Sequence, residues 1–404
     1  MKTINSDGVD ILSWVGDLEE GALNQAMNMS KLPFAFNHIA LMPDAHFGHG
    51  VPIGSIIATR DVIIPNAIGV DIGCGVISSK SNLKNNLDKK IIRQITSEIK
   101  ESIPTGEGKA NKIPQQWNVF EGYIKQFNKI FSLNEIPGWY TDHIWELAYH
   151  NLRSLGGGNH FIELQTDEEN FIYIMIHSGS RNLGYRIADY YNEQAKEKNE
   201  LWYSNVSTND LSFLPVNHKL GKDYIRDMFF ACEYARENRK RMMLKCQEII
   251  KDIIKDIEFK EAIDIHHNYA DRENHFGQNV WVHRKGAIRV REGEIGFIPG
   301  SMGTPSYIVK GLGNIHSFQS SSHGAGRKMS RTKAVNELSI EECDQMMDGI
   351  IYDRWNKIRR GKNKGKFDTS EAPGAYKDID LVMEQQKDLV EIITKLKPIG
   401  VVKG

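Results

Sequence analysis

Apolar positions along the chain follow two rhythms. Leu87, Ile91, Ile92, Ile95 and Ile99 recur three and four residues apart, which predicts a helix over Leu87–Ile99. Asp223–Phe259 reads as one long helix with Arg239, Lys240 and Arg241 on its wet side, and further helices are expected at Ile340–Arg360 and Ile379–Leu396. The other rhythm is short: β-branched or apolar runs bounded by glycine, such as Gly54–Ala58, Val76–Ser79 and Phe171–Ile176, predict strands joined by tight turns. Ser102–Asn111 interrupts with Pro and Gly and is expected to be a flexible loop, and the strand-like texture returns from Asp264 to Ser330. No repeat of fixed period and no low-complexity tract divides the chain. Glycine-rich segments are spread from residue 44 to the C-terminal end and can converge only if the chain is not cut, so the expectation is a single α+β domain over residues 1–404 with helical segments inserted between strand-rich pieces.

Composition narrows the class. Hydrophobic residues make up 40% and charged residues 25%, as in a soluble globular protein, and a chain of 404 residues buries roughly three quarters of its unfolded surface. No window approaches the ~20 apolar residues of a membrane span, and the N-terminal segment lacks the apolar run of a signal peptide, so a cytoplasmic protein is expected. The 51 Lys and Arg nearly cancel the 52 Asp and Glu, which argues against a protein that coats nucleic acid nonspecifically but not against a local basic patch. The four cysteines, Cys74, Cys232, Cys246 and Cys343, include no CxxC pair, so a disulfide framework or an all-thiolate zinc site is not expected.

Candidate chemistry sits in the glycine-rich segments. In Gly69–Gly75 (GVDIGCG), Asp71 and Cys74 can point a carboxylate and a thiolate at one cation; the plainer reading is a turn with a capping Asp and a small buried Cys. Gly156–Glu163 (GGGNHFIE) folds backbone tightly before His160, as around a phosphate, or is a linker into a strand. His177 follows an apolar strand and leads into a Ser/Gly/Arg run suited to phosphate oxygens, although a histidine at a strand end is more often structural. His266 and His267 are adjacent on a strand, so at most one reaches a given site. Together Asp71, Cys74, His160, His177 and one of His266 or His267 form a mixed O/S/N set suited to borderline divalent metals, with a thiolate able to bridge two ions. Pro299–Ser306 is a turn rich in hydroxyls. Ser320–Arg331 (SSSHGAGRKMSR) places His323 before Gly324, Ala325, Gly326 and Arg327, where amides and a guanidinium bind phosphate beside a histidine able to act as nucleophile or acid; a plain basic loop is the alternative. The cationic run Lys357–Lys366 is a solvated loop, or an RNA-steering patch if it flanks the site.

These motifs in this order resemble the RtcB family of 3′-phosphate/5′-hydroxyl RNA-splicing ligases: MPDAHFGHG (Met42–Gly50), GVDIGCG, GGGNHFIE, HSGSRNLG (His177–Gly184), HHNY, RKGA (Arg284–Ala287), PGSMGTPSYIV, SSHGAGRKMSR, AYKDI (Ala375–Ile379) and the final Val402-Lys403-Gly404. The resemblance implies the family's α+β fold, a strand-rich core around a metal and nucleotide pocket with peripheral helices. It implies a pair of manganese ions held by Asp71, Cys74, His160, His177 and His267, with Cys74 bridging; His267 is preferred because it directly precedes the asparagine. It implies that His323 attacks GTP and carries GMP, and that Asn159, Phe161, Glu163, Ser301, Ser306, Tyr376 and Lys403 hold the guanylate. Asp44 and Asn268 match further active-site positions, Asn268 being assigned to the nucleotide. The implied reaction opens any 2′,3′-cyclic phosphate to a 3′-phosphate, passes GMP to that phosphate, and joins it to a 5′-hydroxyl with release of GMP, in RNA repair or tRNA splicing. The expected partners are RNA with such ends and an archease-type helper protein, with the ligase itself a monomer. His49 departs from the family pattern, where many members carry Lys. A metal-dependent RNA-end phosphoesterase without ligation, or a non-catalytic RNA-end binding protein, are the other readings; SHGAGR and Lys403 argue against the first, and the intact ligand set against the second.

Overall fold

The glycine-punctuated apolar runs pair into two large sheets among the residues that the structure, a computed structural model, describes: 1–120, 122–123, 137–359 and 361–404. One sheet has six strands in the order Lys2–Ile4, Asp10–Ser13, Ala35–His46, Ile53–Thr59, Gln278–Lys285 and Asn268–His275. The larger sheet runs Ile263–His266, Gly75–Lys84, Phe171–Ser178, Phe161–Thr166, Val390–Lys403, Ser306–Gly311 and Ile295–Ile298, with the short Ile351–Tyr352 strand parallel to Val390–Lys403. Ile263–His266 forms the edge of one sheet and Asn268–His275 the edge of the other, so His267 alone joins them.

Two helices cover the larger sheet. Lys89–Ser102 starts where the Asp88 carboxylate accepts hydrogen bonds from the amides of Lys90 and Ile91, and it buries Ile92, Ile95 and Ile99 as the spacing predicts. The 35-residue helix Lys219–Ile253 buries Met242, Cys246 and Ile250 against the same layer of Ile77, Ile162, Ile174 and Ile176. The expected strands appear at Ile53–Thr59, Gly75–Lys84 and Phe171–Ser178. Residues 103–111 are irregular, but their backbone is tied down: Gly106 N–H donates to Gly156 O at 2.8 Å. Among the described residues no helix is long and apolar enough to cross a membrane.

Three expectations change. Ile340–Met346 is helical, but Gly349 takes a left-handed φ of +81° and β-branched Ile351 pairs with the larger sheet, so the helix does not run on towards Arg360, which lies outside the described residues. Ile379–Gln385 is helical, but Val390–Lys403 is a 14-residue strand. The run Val-Glu-Ile-Ile-Thr is β-prone; residues 390–396 pair with Ser306–Gly311 and residues 397–403 with Phe161–Thr166, so the one long strand joins the two. Arg239 is not on the wet side of its helix but fully buried, while Lys240 is exposed and Arg241 half-buried. The Arg239 guanidinium donates to both oxygens of Asp264 (2.7 and 2.6 Å) and, through Nη1, to Gly73 O and Ser178 O, each at 2.8 Å. A long basic residue in a helix looks solvent-facing by periodicity alone; these four acceptors make the burial affordable.

Removing one partner of such a pair leaves an uncompensated buried charge. Arg239→Met is therefore expected to lower unfolding stability by about 3–5 kcal/mol in urea denaturation, and Arg239→Met/Asp264→Leu by clearly less. Equal losses in the single and double variants would show that the uncompensated Asp264 charge is not the cause.

Candidate active site

The sequence places its unusual residues at strand ends and in turns, and the two sheets bring these ends together. Cys74 closes the turn before Gly75–Lys84; Gly73 in that turn sits directly on the long helix, where a Cβ would lie 2.7 Å from Cys232 Cα. His177 is the penultimate residue of its strand and pairs directly opposite Val76, and His160 leads into the adjacent strand. His267 N–H donates to Cys74 O at 2.8 Å, which turns the imidazole at the sheet junction inward. His266 points the other way, with Nδ1 2.8 Å from Gly73 O and 3.0 Å from Arg239 Nη2.

The donor atoms converge. Cys74 Sγ lies 3.4 Å from His160 Nε2 and 3.3 Å from His177 Nε2; His177 Nε2 lies 3.3 Å from His267 Nε2; and Asp71 Oδ2 lies 3.2 Å from His160 Nε2. The ligand atoms of Cys74, His160 and His177 all lie within 4.8 Å of one another; Asp71 adjoins this group at His160 and His267 adjoins it at His177. Asp71 is set by Ser180, whose N–H and Oγ–H donate to Oδ1 at 2.9 and 3.2 Å; a Cβ on Gly179 would fall 2.2 Å from the carboxylate, so only glycine permits this approach. Burial opposes ionisation of Asp71, but His160 and Arg181 hold its carboxyl well below the usual range. Burial and Asp71 push the Cys74 thiol up, and burial pushes His177 and His267 well below the ordinary imidazole range.

Whether a metal fits can be judged from tautomers. His177 Nδ1 is 3.2 Å from Asn159 O, which can only accept, so Nδ1 carries the proton and Nε2 presents a lone pair to Cys74 and His267. Two imidazole nitrogens 3.3 Å apart need a proton or a cation between them, and the buried Nδ1 of His267 has no partner among the described residues. His160 Nδ1 lies 3.0 Å from Leu155 O, which accepts its proton, and 2.8 Å from Arg181 Nη1, which can only donate; the tautomer that donates to Leu155 O is the one that frees Nε2 for a metal. A thiol, a carboxylate and three imidazoles so arranged fit a borderline divalent ion. Arg181, expected to face phosphate, instead anchors a candidate ligand and the Leu155 carbonyl.

Beside this centre stands His323. Its Nδ1 is 2.7 Å from Asp44 Oδ2, the same oxygen accepts from the His323 backbone N–H at 3.1 Å, and its ring centroid is 4.8 Å from that of His267. Asp44 is fully buried, and Gly326 (φ +71°) lets the 324–326 turn lie on its backbone, where a Cβ would come 2.2 Å from Asp44 O. His323 opens on a cavity of about 820 Å³ that is also lined by Asn159, Phe161, His177, Ser301, Tyr376 and Lys403. Gly324, Ala325, Gly326 and Arg327 form one wall of it.

Glu163 and Ser306 stand behind that lining, joined by Gln165, whose Nε2 donates to Glu163 Oε2 at 2.6 Å and Ser306 Oγ at 3.0 Å. Asn268 does not line the cavity; it braces the metal-side turn, donating to Asp71 O at 3.1 Å and accepting from Gly286 N–H at 2.8 Å. Sequence reading passed over Glu371. This buried carboxylate accepts from Arg327 (3.2 Å), Arg331 (2.8 Å) and the Tyr376 hydroxyl, and lies 3.8 Å from Lys403. Burial opposes its ionisation, but Lys403, Arg331 and Arg327 hold it below the usual carboxylate range. Its only sequence signal is its place just before the AYKDI segment. His49, the departure from the family pattern, lines the cavity mouth with an exposed side chain 3.9 Å from Asp210.

A family model described as tRNA-splicing ligase RtcB matches residues 25–404. The chain is 38% identical to the RNA-splicing ligase RtcB of Escherichia coli K12, covering 96% of this chain and 95% of that protein. It is 32% identical to the tRNA-splicing ligase RtcB of Methanococcus maripaludis (96% and 92% covered) and 30% identical to that of Pyrobaculum aerophilum (95% and 91%).

Cobalt(II) reports directly on a sulfur ligand. Titration of the metal-free protein is expected to give a thiolate-to-cobalt charge-transfer band that is lost in Cys74→Ser and kept in Cys343→Ser. A band of equal strength in Cys74→Ser would remove Cys74 from the metal centre.

Proposed function

The chain belongs to the RtcB family, and on that premise we propose that it is a GTP- and manganese-dependent RNA ligase, joining 3′-phosphate or 2′,3′-cyclic phosphate ends to 5′-hydroxyl ends. The observation that carries this reading is the Asp44–His323 pair, opening on a cavity that His177 of the candidate metal group also lines. Asp44 accepts the Nδ1 proton of His323, which leaves Nε2 as a lone pair, and the buried carboxylate steadies the positive charge that develops when that nitrogen attacks. The His323 Nε2–phosphorus bond forms at the α-phosphate of GTP as pyrophosphate departs. The guanylate then moves to the RNA 3′-phosphate, forming a new phosphoanhydride and freeing His323. The 5′-hydroxyl attacks the RNA phosphorus, loses its proton, and releases GMP. A cyclic phosphate is first opened by water.

Asp71, Cys74, His160, His177 and His267 would hold manganese, which when bound neutralises crowded phosphates and acidifies a water or hydroxyl. On the nucleotide side, Phe161 and Glu163 lie on one face of their strand by its two-residue period, with Lys403 paired opposite Phe161. Phe161 and Tyr376 offer surfaces to a base, and Glu163 accepts from its N–H edge. Arg327 spends its donors on Met329 O, Ser370 O, Glu371 and Tyr376, so it shapes the wall, and the 324–326 amides are left for phosphate. A phosphoesterase that used the metal centre alone would need neither His323 on Asp44 nor Lys403.

Incubated with manganese and α-labelled GTP, the wild-type protein is expected to take acid-labile label and His323→Ala none. Equal labelling of both would remove His323 from the reaction, and an unlabelled wild type with metal bound would favour the phosphoesterase. Nucleotide affinity also has a pH signature. Burial pushes the Glu163 carboxyl up to about 7, against the pull of Lys403, and guanine N–H donors are satisfied by the ionised form. GTP affinity should therefore be full above that value and fall as pH drops through it, and Glu163→Gln should bind weakly with little pH dependence. Matching pH profiles in the two proteins would sink the assignment.

A further inference from the structure

The first cavity does not end at Lys403. Met302, Arg331 and Lys403 are shared with a second hollow of about 900 Å³, and that hollow shares Lys100, Thr105, Lys109 and Ala110 with a third of about 660 Å³. The three form one track leading away from His323. Its floor is two glycine loops, Gly106–Gly108 and Gly156–Gly158, clamped together by the Gly106 N–H to Gly156 O bond and a parallel bridge between Thr105 and Gly156. Apart from Glu107, which is exposed and also lines the second hollow, these loops offer only backbone to an occupant.

The charge of the track departs from that of the molecule. The two outer hollows are lined by eight Lys or Arg against five Asp or Glu, whereas the whole chain has 51 against 52. Lys109, Lys112 and Arg354 are exposed and lie within ion-pair distance of no carboxylate among the described residues. Two aromatic side chains face the same space. Tyr185 is 44% exposed at the start of the helix Arg181–Leu201. Trp355 is fixed by its indole N–H, which donates to Asp344 Oδ1 at 2.8 Å, and by the Tyr352 ring 5.6 Å away. Unpaired cations interleaved with flat rings along a groove match the backbone charge and exposed bases of a single nucleic-acid strand.

We propose that this track binds unpaired RNA nucleotides next to a reacting end, with Trp355 as a stacking platform and Lys109 and Lys112 on the phosphates. The proposal rests on the ligase reading above and adds to it the path by which a strand reaches the site. Neither Trp355, Lys109 nor Lys112 lines the cavity that contains His323, so the guanylate and the strand are read by different groups. The shared chemistry fits the strand that ends in the 3′-phosphate and the strand that begins with the 5′-hydroxyl, and the experiment separates them.

Full-length wild type, Trp355→Ala, Trp355→Phe and Lys109→Ala/Lys112→Ala are first labelled with α-labelled GTP and manganese, then tested for binding of short single-stranded RNAs carrying either end. All four are expected to take label equally. Trp355→Ala should bind RNA about tenfold more weakly or worse, Trp355→Phe should recover most of this, and the double lysine variant should lose about 1.4 from the slope of log affinity against log salt. A 4-thiouridine near the 3′-phosphate or near the 5′-hydroxyl should crosslink to the peptide holding Trp355 from one strand only, which identifies the strand. Normal labelling with unchanged RNA affinity in every variant and crosslinks elsewhere would overturn the track and leave the ligase reading intact. An unlabelled wild type whose RNA binding still depends on Trp355 would overturn the ligase reading and leave the track.

Discussion

The candidate centre depends on one buried cation. Arg239 reaches from the long helix beneath the site and donates to Gly73 O, beside Cys74; to Ser178 O, beside His177; and to Asp264, on the short strand that ends at His266. Three of the segments that carry donor atoms are therefore tied to a single guanidinium, whose planar fork fixes their spacing in a way a lysine could not. The arrangement is costly to desolvate, and it is satisfied because every direction the group offers meets an acceptor. It also keeps a fixed positive charge behind a site whose thiol must lose a proton before it can hold a metal, and that charge draws the thiol down against burial.

A second hub of opposite sign organises the far side. Glu371 collects Arg327, Arg331, Tyr376 and Lys403, and in doing so joins the C-terminal strand to the turn after His323. Between the hubs stands the Asp44–His323 pair, with one lone pair facing the cavity. The two hubs thus hold the walls of the candidate site in place without occupying it, and the electrostatics a phosphate would meet are set before it arrives.

Much of this was legible in the sequence, for identifiable reasons. Asp71, Cys74, His160, His177 and His323 stand out because glycines surround them, and glycine clusters mark places where backbone must approach something closely. The expected alternation along one strand is not what separates the two histidines: His266 ends one strand, whereas His267 sits in the bend between the sheets with its N–H on Cys74 O, and the adjacent asparagine already pointed to His267. What stayed hidden depends on contacts across the chain. Arg239 and Glu371 look like ordinary surface charges, since nothing local shows that four acceptors wait for the first or four donors for the second. The family resemblance assigns Asn268 to the nucleotide, and no local pattern announces that its amide also bridges backbone in the Asp71 turn and at Gly286. The stretch 390–403 carries apolar residues at spacings that suit either period, and the vacant position in the larger sheet, invisible locally, decides for strand.

That vacancy bears on how the protein is made. Val390–Lys403 lies in the interior of the larger sheet yet follows all its neighbours in the chain. While a ribosome is still working through the preceding residues, Phe161–Thr166 and Ser306–Gly311 are separate edges with unpaired backbone groups, open to the wrong partners. The larger sheet can close only after this stretch has emerged from the exit tunnel. A nascent chain interrupted before then has its histidines and cysteine but no joined cavity, and it resembles a client for chaperones more than a slow enzyme.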